Sequence, residues 1–228
     1  MDGEAVAGKG LDTGAARHAV VLTGGEPADP ALARLLPVGA YVIAADSGLD
    51  QAAILGLDVD LAVGDFDSLA PAALEAAMAA GCRVERHPAA KDHTDLELGL
   101  RAALEHGCRR VVVVGGHGGR LDHLLANALV LAGATTAGME VEALMGPGRL
   151  RVIRAGGPHS LHGRAGQLVT LLALGGAALG VRTTGLRYPL ADEDLQPGST
   201  RGVSNEMLAT DASVRVRHGT LLVVRPGP

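Results

Sequence analysis

Leu61-Ala62-Val63-Gly64-Asp65-Phe66-Asp67-Ser68 is a short apolar run that ends in glycine and acid. A buried strand opening into a loop has this form. The form recurs three times: residues 19–23 lead into Gly24-Gly25, residues 40–45 into Asp46-Ser47-Gly48, and residues 111–114 into Gly115-Gly116. Helical patterns over residues 71–80 and 96–106 separate the runs. Strand, helix, strand in succession predicts an α/β fold, a parallel sheet covered on both faces. In such sheets ligands sit outside the carboxyl ends of the strands, where these Gly and Asp clusters fall.

Outward from this unit the pattern changes. A strand over residues 140–144 runs into the turn signal Gly146-Pro147-Gly148. Beyond it come short alternating segments at 150–154, 167–173, 212–216 and 220–224, separated by Gly, Pro, Asn and Asp. They predict a small antiparallel β-sandwich or barrel domain. The expected organisation is a disordered leader over residues 1–17, an α/β domain over 18–146 and a β domain over 147–228.

The 228 residues are 47% hydrophobic, enough for a core. Phe66, Tyr41 and Tyr188 are the only aromatic side chains and there is no Trp, so Ala, Val and Leu must fill the interior. A net charge of −5 argues against a nucleic-acid partner. Lys9 and Lys91 are the only lysines, which leaves phosphate charge mainly to arginine. The opening residues lack a basic region followed by an apolar one, so no secretory signal is expected. The apolar stretch 121–135, interrupted by Asp122, His123 and Asn127, is too short to span a membrane. Cys82 and Cys108 have no metal-ligand spacing and read as thiols of a reducing cytoplasm.

Four clusters carry chemistry. In Asp65-Phe66-Asp67-Ser68, continued strand geometry would turn both carboxylates to one side, where hard oxygen ligands suit Mg²⁺. An acidic turn leading into a helix cap is the alternative. Lys91-Asp92-His93-Thr94-Asp95 precedes a helix, with Thr94 and Glu97 as a capping box and Asp95 in the first turn. Gly115-Gly116-His117-Gly118-Gly119-Arg120-Leu121-Asp122-His123 is a glycine-rich strand-to-helix loop whose backbone N–H groups can approach phosphate. Arg120 brings positive charge there, and His123 and Asn127 share a helix face. Asp46-Ser47-Gly48 adds a carboxylate for a hydroxyl or a bound water, with Gly48 allowing close approach by a ligand. Carboxylates, arginine and glycine loops at strand ends suit phosphoryl or pyrophosphoryl transfer, which needs positioning and charge neutralisation.

In their order and spacing, Asp46-Ser47-Gly48, Gly64-Asp65-Phe66-Asp67-Ser68, Thr94-Asp95, Gly119-Arg120-Leu121-Asp122-His123 and Ser204-Asn205-Glu206 resemble the thiamine pyrophosphokinase family. The resemblance runs from about residue 20 to the C-terminus. It implies transfer of pyrophosphate from ATP to thiamine with Mg²⁺, giving thiamine diphosphate and AMP. It also implies a homodimer with the active site between subunits. Carried over by position, Asp65, Asp67 and Asp95 resemble metal ligands. Asp67, Asp95, Arg120 and Asp122 resemble the catalytic set, with Asp67 or Asp122 as proton acceptor. Asp46, Ser47, Gly48, Ser68, Thr94, Gly116, Arg120 and His123 resemble nucleotide contacts. Tyr188, Ser204 and Asn205 resemble the thiamine side. The family often has Asp-Gly-Gly where this chain has Asp46-Ser47-Gly48, and Tyr188 stands at a position commonly aromatic. Another acceptor such as a pterin alcohol, or a non-catalytic thiamine diphosphate sensor, remains open at this stage.

Overall fold

The computed structural model describes residues 17–88 and 92–227. The leader expected over residues 1–17 lies outside them except for Arg17, which opens the first strand; Lys91 also lies outside.

In chain order the elements are β1 (Arg17–Thr23), β2 (Tyr41–Ala45), α1 (Gly48–Leu55), β3 (Leu61–Gly64), α2 (Pro71–Ala79), β4 (Arg83–Arg86), α3 (Asp95–Glu105), β5 (Cys108–Val114), α4 (Leu121–Val130) and β6 (Glu140–Met145). They continue as β7 (Gly148–Arg154), β8 (His159–His162), β9 (Leu168–Thr184), β10 (Ala191–Leu195), β11 (Asn205–Glu206), β12 (Asp211–Arg215) and β13 (His218–Arg225).

The first six strands pair in parallel in the order β4-β3-β2-β1-β5-β6. Alternation along each strand sends successive side chains to opposite faces. Ala19, Val21, Ile43, Ala45, Val63 and Val113 meet α3 through Leu96, Leu100 and Ala103. Val20, Leu22, Val42 and Val114 meet α1 through Ala52 and Leu55. Both faces are therefore dry, which explains why the strands read as unbroken apolar runs. Each fully buried leucine of α3 contributes roughly 1.5–3 kcal/mol. Space for α3 is set by Gly99, where a Cβ would lie 2.7 Å from Val21 Cγ1.

At Gly146-Pro147 the chain makes a hairpin, and β7 pairs antiparallel with β6 from Met145–Gly148 to Glu142–Arg151. Pairing continues as β7-β13-β9-β12-β8, with β10 and β11 also on β9. The antiparallel strands are thus joined to the parallel ones through β7, and the two halves of β9 pair with different partners, residues 170–174 with β13 and residues 182–184 with β12. A second core of Ile153, Val169, Leu171, Val181, Leu195, Met207, Val214 and Leu221 lies among them. Strand β9 is 17 residues long, although the sequence pattern ends it at 173. Gly175 and Gly176, with φ of 71° and 151°, bend the strand without ending it.

Candidate active site

The carboxyl ends of β3, β2, β1 and β5 are neighbours in the sheet, so the four Gly and Asp clusters meet on one edge. A cavity of about 500 Å³ opens there, lined among others by Gly24, Gly25, Asp46, Ser47, His93, Thr94, Asp95, Gly116, Arg120 and His123. Of the residues expected at the nucleotide, Asp46, Ser47, Thr94, Gly116, Arg120 and His123 line this cavity, as does Asp95. Gly48, Asp65, Asp67, Ser68 and Asp122 are not part of its lining.

Strand geometry does not continue through Asp65-Phe66-Asp67. Strand β3 stops at Gly64, and Phe66 turns to φ 61° with its ring buried against Leu69, Leu74 and Ala62. The two carboxylates are brought together by this turn, in which Asp65 Oδ1 accepts from the Asp67 amide at 3.2 Å. Asp46, also at positive φ (48°), joins them, and the three carboxylates offer oxygens within 4.8 Å of one another. Asp46 Oδ2 accepts from the Ser68 hydroxyl at 2.5 Å. Asp46 Oδ1 is buried without a hydrogen-bond partner. Ser68 therefore braces Asp46, and helix α2 takes Ala70 as its N-cap with Pro71 behind it. The charge of Asp65 and a hydrogen bond with it, then desolvation, Asp46 and Asp95, raise the Asp67 carboxyl above its ordinary value. Three crowded carboxylates with one orphaned buried oxygen fit a divalent cation, whose charge would relieve that repulsion. Asp95 was grouped with Asp65 and Asp67 from sequence; it stands outside this cluster, on the cavity wall, while its charge still reaches Asp67.

Thr94 caps α3, its hydroxyl accepting from the Glu97 amide at 3.3 Å. The Glu97 carboxylate, expected to complete a capping box, instead meets His93 Nδ1 at 3.3 Å and Arg101 at 3.2 Å. On the far loop Arg120 is exposed and forked onto Asp122, with Nε–Oδ1 at 3.1 Å and Nη2–Oδ2 at 2.5 Å. That pairing holds the Asp122 carboxyl down at about 2.

Gly48 is close-packed on β1: a Cβ there would lie 2.2 Å from the Leu22 carbonyl oxygen. Ser47 fits because Gly24 has no side chain; a Cβ on Gly24 would be 2.2 Å from Ser47 Oγ.

On the antiparallel part, Tyr188 is exposed and Asn205 is 3% exposed. The Asn205 carboxamide accepts from the Tyr188 amide (3.0 Å) and the Glu206 amide (2.9 Å), and donates to the Tyr188 carbonyl (2.7 Å). Asn205 thus holds the backbone beneath Tyr188. Ser204, at φ 56°, is exposed, and its amide donates to Thr170 Oγ1 at 3.0 Å. Tyr188, Ser204 and Asn205 do not line the cavity of their own chain.

Sequence reasoning left out Gly24, Gly25, His93 and Asn127 as lining residues, although the strand-end Gly pair and the His123–Asn127 spacing were visible signals. Asn127 is buried and donates to the Gly116 carbonyl at 3.4 Å.

Two family models match in series. Thiamin pyrophosphokinase, catalytic domain, covers residues 32–143, and Thiamin pyrophosphokinase, vitamin B1 binding domain, covers residues 158–221. The thiamine pyrophosphokinase of Bacillus subtilis (strain 168) is 25% identical over 182 residues, 78% of this chain and 85% of that protein. Among solved structures, the Geobacillus thermodenitrificans thiamin pyrophosphokinase superposes with a TM-score of 0.78 at 26% identity, covering 92% of this chain and 98% of that one. The Bacillus subtilis enzyme gives a TM-score of 0.81 at 23% identity, covering 93% and 100%. The yeast enzyme, at 12% identity, still gives 0.73, covering 94% of this chain and 87% of that one. Together the two models take in more than half of the sequence, in the order of its parallel and antiparallel strands, and the chain belongs to the thiamin pyrophosphokinase family.

Proposed function

We propose that this protein transfers a pyrophosphoryl group from ATP to the hydroxyl of thiamine, giving thiamine diphosphate and AMP. The observation that carries this reading is the cavity at the strand ends, where glycine loops, Asp46, Asp95 and Arg120 converge. The vitamin B1 binding-domain match favours thiamine over a pterin alcohol as acceptor.

ATP lies in the cavity with its phosphates toward the amides of Gly24, Gly25 and Gly116, the arrangement by which strand-end loops bind phosphate. Asp46, Asp65 and Asp67 would hold Mg²⁺, with Asp95 on the cavity wall. Bound Mg²⁺ supplies positive charge to the transferring phosphates. The thiamine hydroxyl oxygen forms a bond to the β-phosphorus, the bond from that phosphorus to the α–β bridging oxygen breaks, and AMP leaves. The hydroxyl proton passes to one of two carboxylates, Asp67 or Asp122. Arg120 stabilises charge on the departing oxygen.

The active site is completed in a homodimer. Leu121, Leu125 and Leu129 form an exposed apolar stripe on α4, beside the loop that carries Arg120, and Tyr188, Val203 and Leu208 are exposed on the antiparallel part. A second copy covering such surfaces would bring Tyr188 and Ser204 of one chain to the cavity of the other, where the phenol ring stacks on a flat cationic heterocycle. Among the described residues no helix is long and apolar enough to cross a membrane. The two buried free thiols, Cys82 and Cys108, suit the reducing cytoplasm in which we place the protein.

Incubation with ATP, Mg²⁺ and thiamine, followed by mass analysis, is expected to yield thiamine diphosphate. Saturable thiamine diphosphate binding with no turnover would contradict the enzymatic reading.

A further inference from the structure

Two loops contribute to the wall of the nucleotide cavity: residues 24–28, leaving β1, through Gly24 and Gly25, and residues 115–119, leaving β5, through Gly116 and Gly118. They are interlocked through their backbones. The Gly116 amide donates to the Gly24 carbonyl at 2.7 Å, and the Glu26 amide donates to the His117 carbonyl at 2.7 Å. The fit leaves no room for side chains, since a Cβ on Gly25 would lie 2.3 Å from the His117 carbonyl oxygen. Loops this glycine-rich have no intrinsic preference for one conformation, so something outside them must fix it.

Gln51 does so from beneath. It sits on α1 between Asp50 and Ala52, is 2% exposed, and does not line the cavity. Its Nε2 donates to the Glu26 carbonyl at 3.0 Å, and its Oε1 accepts from the Ala28 amide at 2.9 Å. One carboxamide therefore grips the 24–28 loop at two backbone points, and the Glu26 amide passes that constraint to the 115–119 loop. Packing alone would be served by leucine at this place, as at Leu55 one turn on. A buried amide is retained where its hydrogen bonds are needed.

We infer that Gln51 is a positioning residue for the nucleotide: it fixes both glycine loops so that their backbone amides are set for the polyphosphate before ATP arrives. This rests on the proposed function, because ATP is the ligand assigned to the cavity. Gln51→Met keeps the length of the side chain and removes both hydrogen bonds. Calorimetry with Mg²⁺ and α,β-methylene ATP, which resists cleavage at the reacting bridge, is expected to show Kd weakened by about tenfold. The KM for thiamine should stay within about twofold, because the acceptor is bound elsewhere. Gln51→Asn keeps the carboxamide one methylene short of both loop partners and should weaken the analogue by about threefold. It also provides the measurement if the methionine variant does not fold. An unchanged Kd in a folded variant, even with lowered thermal stability, would overturn the inference and leave Gln51 a structural residue. Failure of the wild-type protein to bind the analogue at all would instead sink the nucleotide reading itself.

Discussion

A buried carboxylate oxygen without a partner is costly, and Asp46 Oδ1 is one, next to two further acids. The arrangement makes sense when the three oxygens share a cation, and from that follows the expectation for Asp67. Asp67→Asn should lower kcat by at least about a hundredfold with the melting temperature unchanged or raised, since a like charge is removed from the cluster. Steady-state kinetics beside a thermal melt would check it, and near-normal turnover would take Asp67 out of the reaction. Asp122 gives a second expectation. Its carboxyl is depressed to about 2 by Arg120 from an ordinary value of 3.8. A depressed folded value means the pairing favours the fold above the unfolded pKa and is lost as pH falls through about 2. In Arg120→Gln the Asp122 resonance followed by NMR should titrate back near the ordinary carboxylate range; an unmoved midpoint would deny the pairing. At this scale the sequence showed which acids mattered but not how they group. It placed Asp46 apart from Asp65 and Asp67 because the contact crosses from the end of β2 to the end of β3. It also could not show that the Asn205 carboxamide is spent on the Tyr188 backbone.

Elements were most legible where burial is two-sided. Runs such as Ala19-Val20-Val21-Leu22 carry no polar residue to obscure them, and β1, β2, β3 and β5 all fall where the sequence puts them. Strand β4, Arg-Val-Glu-Arg, is at the sheet edge with charged residues at both ends, and it gave no apolar signal. The second half of β9 was hidden by Gly175-Gly176, which read as a stop. Helix α1 starts on Gly48, and this position yields a prediction about stability. Gly48→Ala should destabilise the fold by about 1–3 kcal/mol, because its Cβ would collide with the Leu22 carbonyl and push α1 off the sheet. Urea unfolding measures this directly. An unchanged unfolding midpoint would contradict this packing role of Gly48.

For the whole molecule, one sheet runs from β4 to β8, so the nucleotide end and the Tyr188 end belong to one continuous frame. That continuity was not legible, because the pairing of β7 with β13 joins residues about seventy positions apart. In the proposed homodimer, Tyr188 and Ser204, which do not line the cavity of their own chain, would meet the cavity of a second copy. Sedimentation should give twice the chain mass, and Leu125→Glu, on the exposed stripe of α4, should shift the protein toward monomer and reduce turnover together. A monomeric wild type with full activity would contradict that arrangement. The central claim is that the two terminal phosphoryl groups of ATP move as a unit. Its most direct test uses ATP labelled with ³²P at the α, β or γ position, incubated with Mg²⁺ and thiamine. The account predicts that β and γ label both appear in thiamine diphosphate while α label stays in AMP; γ label alone reaching thiamine, with ADP released, would contradict it.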